Sequence, residues 1–260
     1  MTDTLRISTF SRTRQHDHAV EAGLYAAEDL AVELDMTQAS KTQMQQLVDG
    51  TWDIVHTNFD NVMYWAEDRG AGLLVVSALE GEPRQDLVVR QEVRTYADLR
   101  GKVIAVDAAE SGYVTPLRVL LADAGLEEGA GYTLTEFGAT DGRVEAMLAG
   151  KAYAAMVTEG RTLEGGLHVI DAIGRLYTHY ASTVVVRRAW AEEQTSLMLR
   201  YLRAHLRAHR SLAPSHPLTF AWDGLREMAE MRKRIGFLRG TVDPRRFATD
   251  RYFNTAVGAL

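Results

Sequence analysis

Short apolar runs of strand length recur from Leu5 to Val186, and most are followed by a segment with helical apolar spacing. Residues 5–10, 31–36, 52–56, 73–79 and 86–90 read as the first strands. Helices are expected over 19–30, 42–49 (stopped by Gly50) and 61–69. The pattern then restarts. A helical turn over 95–102 ends at Gly101, and 103–106 is a buried strand. A polar turn, 107–112, leads into a helix over 113–124. Strands over 133–137 and 153–158 flank a helix over 142–149, and 184–186 is a last apolar strand. Beyond Ala189 the spacing is helical, near 190–212, 217–235 and 244–257. Strands alternating with helices imply a largely parallel sheet, because parallel neighbours need a crossover connection. The restart at Val103 and the return near Val184 imply two lobes rather than one long sheet.

Composition narrows the function classes. The chain has 260 residues and a formal net charge of -6. That balance argues against non-specific nucleic-acid binding, which needs a basic surface. No cysteine is present, so disulfides, thiolate catalysis and cysteine-based metal sites are excluded. No run of 18 apolar residues occurs, and no membrane insertion is expected. Gly-x-Gly-x-x-Gly, P-loop and Gly-x-Ser-x-Gly patterns are all missing, which disfavours the nucleotide and serine-hydrolase sites they build. No cofactor and no metal are expected. The N-terminus lacks the charged and apolar regions of a secretion signal. The expected location is cytoplasmic if Met1 is the native start, and periplasmic if a leader has been removed.

Ligands of open α/β sheets sit at the carboxyl ends of strands, against helix N-termini. By that rule the stretch 53–61 is the leading candidate for the floor of a site. His56, Thr57, Asn58, Asp60 and Asn61 are expected beyond the third strand, with Asp60 or Asn61 either touching ligand or capping the next helix. Beyond the first strand, Arg12 and Arg14 offer paired N–H donors to a carboxylate or sulfonate, or else face water. His16 and His18 suggest a metal pair but have no third ligand at a fitting spacing. His205 and His209 lie one helical turn apart among arginines and read as a solvated basic face. On the second lobe the turn Glu110, Ser111, Gly112, Tyr113 faces the first by the same rule. Thr140 opens a helix, and Glu159 ends a strand beside Arg161. Tyr180 precedes the return strand as a ligand wall or an interface seal. Trp65, Trp190, Trp222, Phe237 and Phe253 read as packing residues.

Residues 98–106, Asp-Leu-Arg-Gly-Lys-Val-Ile-Ala-Val, resemble a family segment "D-L-x-G-K-x-I-A-V". The stretch 47–54 resembles its "L-x-x-G-x-x-D-I", and 138–150 its "G…R…A-L-L-A-G-K" helix. The family is that of ABC-importer substrate-binding proteins for sulfonates, nitrate and thiamine precursors. The resemblance spans residues 5 to about 210. It implies an α/β, two-lobe, periplasmic-binding-protein-like clamp of type II, each lobe a mixed, mostly parallel sheet flanked by helices. It also implies crossover strands near 88–91 and 184–187, with lobe one formed by 1–90 plus 185–260 and lobe two by 91–184. The implied function is capture of a small polar or anionic organic molecule between the lobes, with an ABC permease as partner and a monomeric state. A related thiamine-pyrimidine synthase branch consumes its own histidine and carries a cysteine-rich motif, which this chain lacks. The alternative is a cytoplasmic enzyme on the same fold, a lyase, decarboxylase or dehydratase, using His56, Asp60, Glu110 and Glu159 as acid–base groups.

Overall fold

A computed structural model describes residues 2–79, 85–176, 182–212, 220, 222–238 and 243–260. Among these residues ten strands form two five-stranded sheets. The first takes β1 (Asp3–Thr9), β2 (Leu30–Met36), β3 (Ile54–Asn58), β4 (Leu73–Ala78) and β10 (Ser182–Arg187) in the order β2-β1-β3-β10-β4. The second takes β5 (Gln85–Val89), β6 (Lys102–Val106), β7 (Tyr132–Glu136), β8 (Ala154–Thr158) and β9 (His168–Ala172) in the order β7-β6-β8-β5-β9. Each is mixed. β1 runs parallel to β2 and β3, and β6 runs parallel to β7 and β8. The antiparallel members are β10 against β3 and β4, and β5 against β8 and β9.

Both sheets are covered on two faces, and the sequence pattern explains why. Along a strand, successive side chains alternate between faces. In the first lobe Ile54, Val184 and Val186 pack with α1 (Arg14–Glu21), α7 (Thr195–Ser211) and α9 (Arg251–Gly258). Val55, Val75 and Val185 pack with α2 (Ser40–Val48), α3 (Phe59–Met63) and α8 (Trp222–Arg234) on the opposite face. In the second, Leu87, Val89, Ile104 and Met156 meet α4 (Val114–Asp123), while Val88, Ala105 and Val157 meet α5 (Thr140–Leu148). Strands buried on both sides read as continuous apolar runs, which is how they were legible. β9 was not expected from sequence; it is a half-exposed strand with His168, Asp171 and one exposed Val169.

Several boundaries differ from expectation. The first helix begins at Arg14 and stops at Glu21, and 26–28 is only a 3₁₀ turn. Thr13 supplies the reason for the early start: its side chain accepts from the His16 N–H and caps the helix. β3 runs two residues past His56, because Thr57 and Asn58 pair with Thr183 and Ser182 of β10. The 190–212 helix is interrupted, with α6 (Arg188–Glu193) ending at Gln194 before α7 begins. β5 pairs entirely within the second sheet and β10 entirely within the first, so the chain changes sheets between Ala78 and Gln85 and again between Leu176 and Ser182.

His205 and His209 correct the expectation of a solvated face. They are 1% and 3% exposed, on the core side of α7. The arginines beside them turn outward, where Arg203 and Arg207 pair with the buried Glu28. Phe237 is half-exposed rather than core, held between the guanidinium groups of Arg118 and Arg232. Trp65, Trp190 and Phe253 are buried as expected.

Candidate functional site

A cavity of about 540 Å³ lies between the two sheets, at the carboxyl ends of several of their strands. The first lobe contributes Thr9, Phe10, Ser11 and Thr13 after β1, Thr37 and Gln38 after β2, and His56, Thr57, Asn58 and Asn61 from β3 and α3. The second contributes Asp107, Ser111, Gly112 and Tyr113 after β6, Ala139, Thr140 and Arg143 of α5, and Thr158 and Glu159 of β8 and its end. Leu79, Gln85 and Ser182 close the side where the chain changes sheets.

Among the described residues three helices of eight residues or more start at this cavity. Thr13 caps α1, Tyr113 precedes α4, and Ala139 precedes α5. Helix N-termini present unpaired N–H groups and the positive end of the peptide dipole. Asn58 caps the shorter α3, its Oδ1 accepting from the Asp60 N–H at 2.8 Å. The cap is therefore Asn58, not Asp60 or Asn61, because the strand extends further than its apolar residues suggest.

Among the described residues one guanidinium lines the cavity. Helical side chains lean toward the N-terminus, so Arg143 reaches back over the first turn of α5. Its Nε donates to Met156 O, Nη1 to Gly138 O and Nη2 to Thr140 Oγ1, each at 3.0 Å. Asp107 lies 4.0 Å away and accepts from the Ser111 hydroxyl. Burial raises the Asp107 carboxyl above its ordinary range and lowers Arg143 below its own, each opposed by the charge of the other.

His56 sits at the inner wall. Its Nε2 is 2.8 Å from the Tyr201 hydroxyl, and its buried Nδ1 has no hydrogen-bond partner among the described residues. Burial, with His205 and His16 nearby, lowers its pKa to about 3, so the ring is neutral at physiological pH. His16 is buried beneath, 3.3 Å from the Tyr25 hydroxyl through Nδ1.

The cavity thus gathers His56, Thr57, Asn58, Asn61, Ser111, Gly112, Tyr113, Thr140 and Glu159 from the sequence candidates. Arg12, Arg14 and His16 are not on its lining: Arg12 pairs with Asp17 in solvent, Arg14 is exposed, and His16 turns inward to Tyr25. Tyr180 lies outside the described residues. Arg143, Asp107, Thr9, Thr37 and Gln38 were not among the candidates. The strand-end rule applied to β2 would have found Thr37 and Gln38. Arg143 was hidden inside a helix, where sequence spacing does not say how far a guanidinium folds back.

Asp60 and Glu110 face a second cavity of about 430 Å³, with Tyr64, Asp68, Arg118, Arg232 and Phe237. Here Arg232, 2% exposed, bridges Asp60 at 3.3 Å and Asp68 at 3.2 Å, and the Thr115 hydroxyl of the second lobe donates to Asp60 at 3.0 Å. Burial raises Asp60 to about 6 against the lowering effect of Arg232. The four acid–base candidates are therefore split between two cavities, and His56 pairs with a phenol rather than a carboxylate. Among the described residues no cluster of three or more His, Asp or Glu could hold a metal ion, and no helix is long and apolar enough to cross a membrane.

Residues 18–203 match the family described as "ABC transporter, phosphonate, periplasmic substrate-binding protein". No curated protein sequence matches the chain. The nitrate-binding protein NrtA of Synechocystis PCC 6803 superposes with a TM-score of 0.81 at 13% identity, covering 99% of this chain and 89% of that one. The alkanesulfonate-binding protein SsuA of Xanthomonas axonopodis pv. citri, bound to MOPS, gives 0.76 at 18% identity, covering 95% and 98%. The aliphatic sulphonate binding protein SsuA of Escherichia coli gives 0.66 at 18% identity, covering 94% and 91%. At such identities the likeness is one of fold, the two-lobe periplasmic-binding-protein architecture. Neither the family nor these neighbours supports the enzyme alternative.

Proposed function

Since the chain belongs to the ABC-transporter phosphonate substrate-binding family, we propose that its inter-lobe cavity captures a small organic oxyanion, such as a phosphonate or sulfonate, and hands it to a permease. The observation that carries this reading is the convergence of α1, α4 and α5 N-termini on one cavity rich in hydroxyl groups. Dipoles and hydroxyls can hold an oxyanion without a free cation. Arg143 adds one buried positive charge, partly offset by Asp107. Ser11 and Thr57 offer hydroxyl donors from the first lobe and Thr140 and Thr158 from the second, while the Thr9, Thr37 and Ser111 hydroxyls already donate to Ser11 O, Ala39 O and Asp107. The lobes act as a clamp that closes on the ligand, and the permease reads the closed form. In this reading the described residues of 2–79 and 182–260 form the first lobe and 85–176 the second, in place of the expected 1–90 with 185–260 and 91–184, because β5 pairs only with β8 and β9, and the protein works as a monomer.

Thermal-shift screening tests the reading with methylphosphonate, ethanesulfonate, acetate, nitrate and a neutral pyrimidine. A Tm rise with one or more of the anions, weakened in Thr57→Val and Thr140→Val, is expected. A ligand at about a hundred times its Kd stabilises by about 2.7 kcal/mol, a shift of a few degrees for a chain of this size. A rise with the pyrimidine alone, or with none of the probes, counts against an oxyanion. Light scattering after size exclusion checks the monomer.

A further inference from the structure

Helix α4 has two faces, and its own lobe uses one of them. Val114, Leu117, Leu120 and Leu121 pack into the core of the second sheet. Thr115, Arg118, Val119 and Asp123 follow helical spacing along the opposite face. Thr115 and Val119 are nevertheless only 1% exposed. The first lobe meets this face with α3 and the end of α8. On α8, Leu225, Met228 and Ala229 pack into the first-lobe core, and the residues after them reach across. Arg234 pairs with Asp123. The Arg118 guanidinium stands 4.8 Å from the centre of the Phe237 ring. Deeper in, the Thr115 hydroxyl donates to Asp60 Oδ1 at 3.0 Å, and both residues are 1% exposed.

The second cavity lies along this junction. Its guanidinium groups are already paired, Arg232 with Asp60 and Asp68, and Arg118 with Glu128. They join the lobes rather than offer a second anion site. A polar junction of this kind can open, since polar interfaces between domains permit relative motion. When the lobes part, Thr115, Arg118 and Asp123 regain water. Asp60 keeps Arg232, which lies on its own lobe, so no buried charge loses its partner. The junction also shares parts with the ligand cavity. Asn58 lines that cavity, and its Oδ1 accepts from the Asp60 N–H. Gly112, three residues before Thr115, faces Asn58. One motion of α4 against α3 therefore makes or breaks both contacts.

We propose that this junction is a latch: Thr115, Arg118 and Asp123 engage Asp60, Phe237 and Arg234 to hold the lobes closed without ligand. The inference rests on the clamp reading above and adds a part of closure that no ligand supplies. A ligand of the closed form binds with an affinity scaled by the fraction of protein that is closed. The latch therefore sets the affinity for every ligand by one common factor, and leaves selectivity to the cavity. Loss of the buried hydrogen bond to Asp60 lowers the ratio of closed to open protein about tenfold to hundredfold. The exposed Arg234–Asp123 pair adds less, because water screens it.

Two arms test it on the full chain. Thr115→Val removes the hydroxyl at nearly constant shape, Thr115→Ser keeps it, and Phe237→Ala removes the second contact. The first arm uses no ligand. Small-angle X-ray scattering of the unmodified chain and of Thr115→Ser is expected to match the closed structure. Thr115→Val with Phe237→Ala is expected to show a larger radius of gyration and an unchanged far-ultraviolet spectrum. Should Thr115→Val fail to fold, Phe237→Ala alone gives the same comparison. An unmodified chain that is already open, or a variant as closed as the unmodified chain, overturns the proposal. In the second arm, each oxyanion that shifts Tm is titrated into the same proteins. The double variant is expected to bind all of them more weakly by one factor, matching its fall in closed fraction, with their ranking unchanged. Loss for some oxyanions and not others, or no loss, overturns the proposal. If no oxyanion binds, the oxyanion reading fails, and the first arm still decides the latch.

Discussion

Gly112 is a close approach of backbone in the second lobe to a side chain of the first, and replacing it with Ala isolates closure from folding. A Cβ at Gly112 would lie 2.6 Å from Asn58 Cβ, 2.8 Å from Cγ and 2.9 Å from Oδ1. Carbon atoms in contact sit about 3.5–4.0 Å apart, so the facing surfaces must part by about 1 Å. Asn58 has nowhere to go. Its Oδ1 holds the α3 cap, and its strand is buried throughout. The turn before α4 must retreat instead, and it carries the second lobe. Gly112 is not among the glycines with positive φ, so Ala is compatible with the backbone of the separated lobe. The penalty, about 1–3 kcal/mol for overpacking, therefore falls on the closed arrangement alone. That corresponds to about a 5- to 150-fold loss of affinity. Because the chain has no cysteine, spin labels at Asp35→Cys on β2 and Glu145→Cys on α5 are unique reporters, and both sites are exposed. Pulsed electron resonance should show the inter-label distance distribution broadened toward longer values in Gly112→Ala. Titration with an oxyanion that shifts Tm should show the matching loss of affinity. Unchanged distances together with unchanged affinity would refute the argument that this contact limits closure.

Two further outcomes follow from the buried charges. Arg232→Ala leaves Asp60 buried, at 1% exposure, without its cation, and should destabilise by about 3–5 kcal/mol. The double change Arg232→Met with Asp60→Asn should recover most of this in urea denaturation, because the uncompensated charge is gone. His56 and His205 are lowered by burial to about 3 and about 4. The unfolded chain therefore takes up protons first, and stability is lost as pH falls below about 6.5. From pH 7 to pH 5 the pair loses about 4 kcal/mol, while Asp60, raised to about 6, returns about 1 kcal/mol with the opposite sign. A net fall of about 2–3 kcal/mol in urea denaturation is expected, flattened in His205→Leu.

The α/β class, the two lobes and most strands were legible from periodicity, since strands sandwiched between helices must be continuously apolar. Leu73–Val76 and Val184–Val186 are such runs. The strand-end rule also found both jaws of the cavity, at 53–61 and 107–113, because connectivity in such a sheet puts those ends together. Tertiary structure alone decided which polar residues of each jaw face inward. Arg12 and Arg14 carried the obvious charge for an anion, yet Arg12 pairs with Asp17 and Arg14 is exposed, while Arg143 of a helix supplies the buried guanidinium. Asp60 and Asn58, two residues apart, line different cavities, because a cap turns the chain from strand to helix between them. His205 was indistinguishable from a surface residue by its basic neighbours, and became the core companion of His56 only when α7 laid that face on β3. Periodicity is a property of neighbours in sequence, so it reports backbone class and layer. Direction into a cleft is set by contacts between residues a hundred or more positions apart, such as His56 and Tyr201, and these exist only in the folded chain.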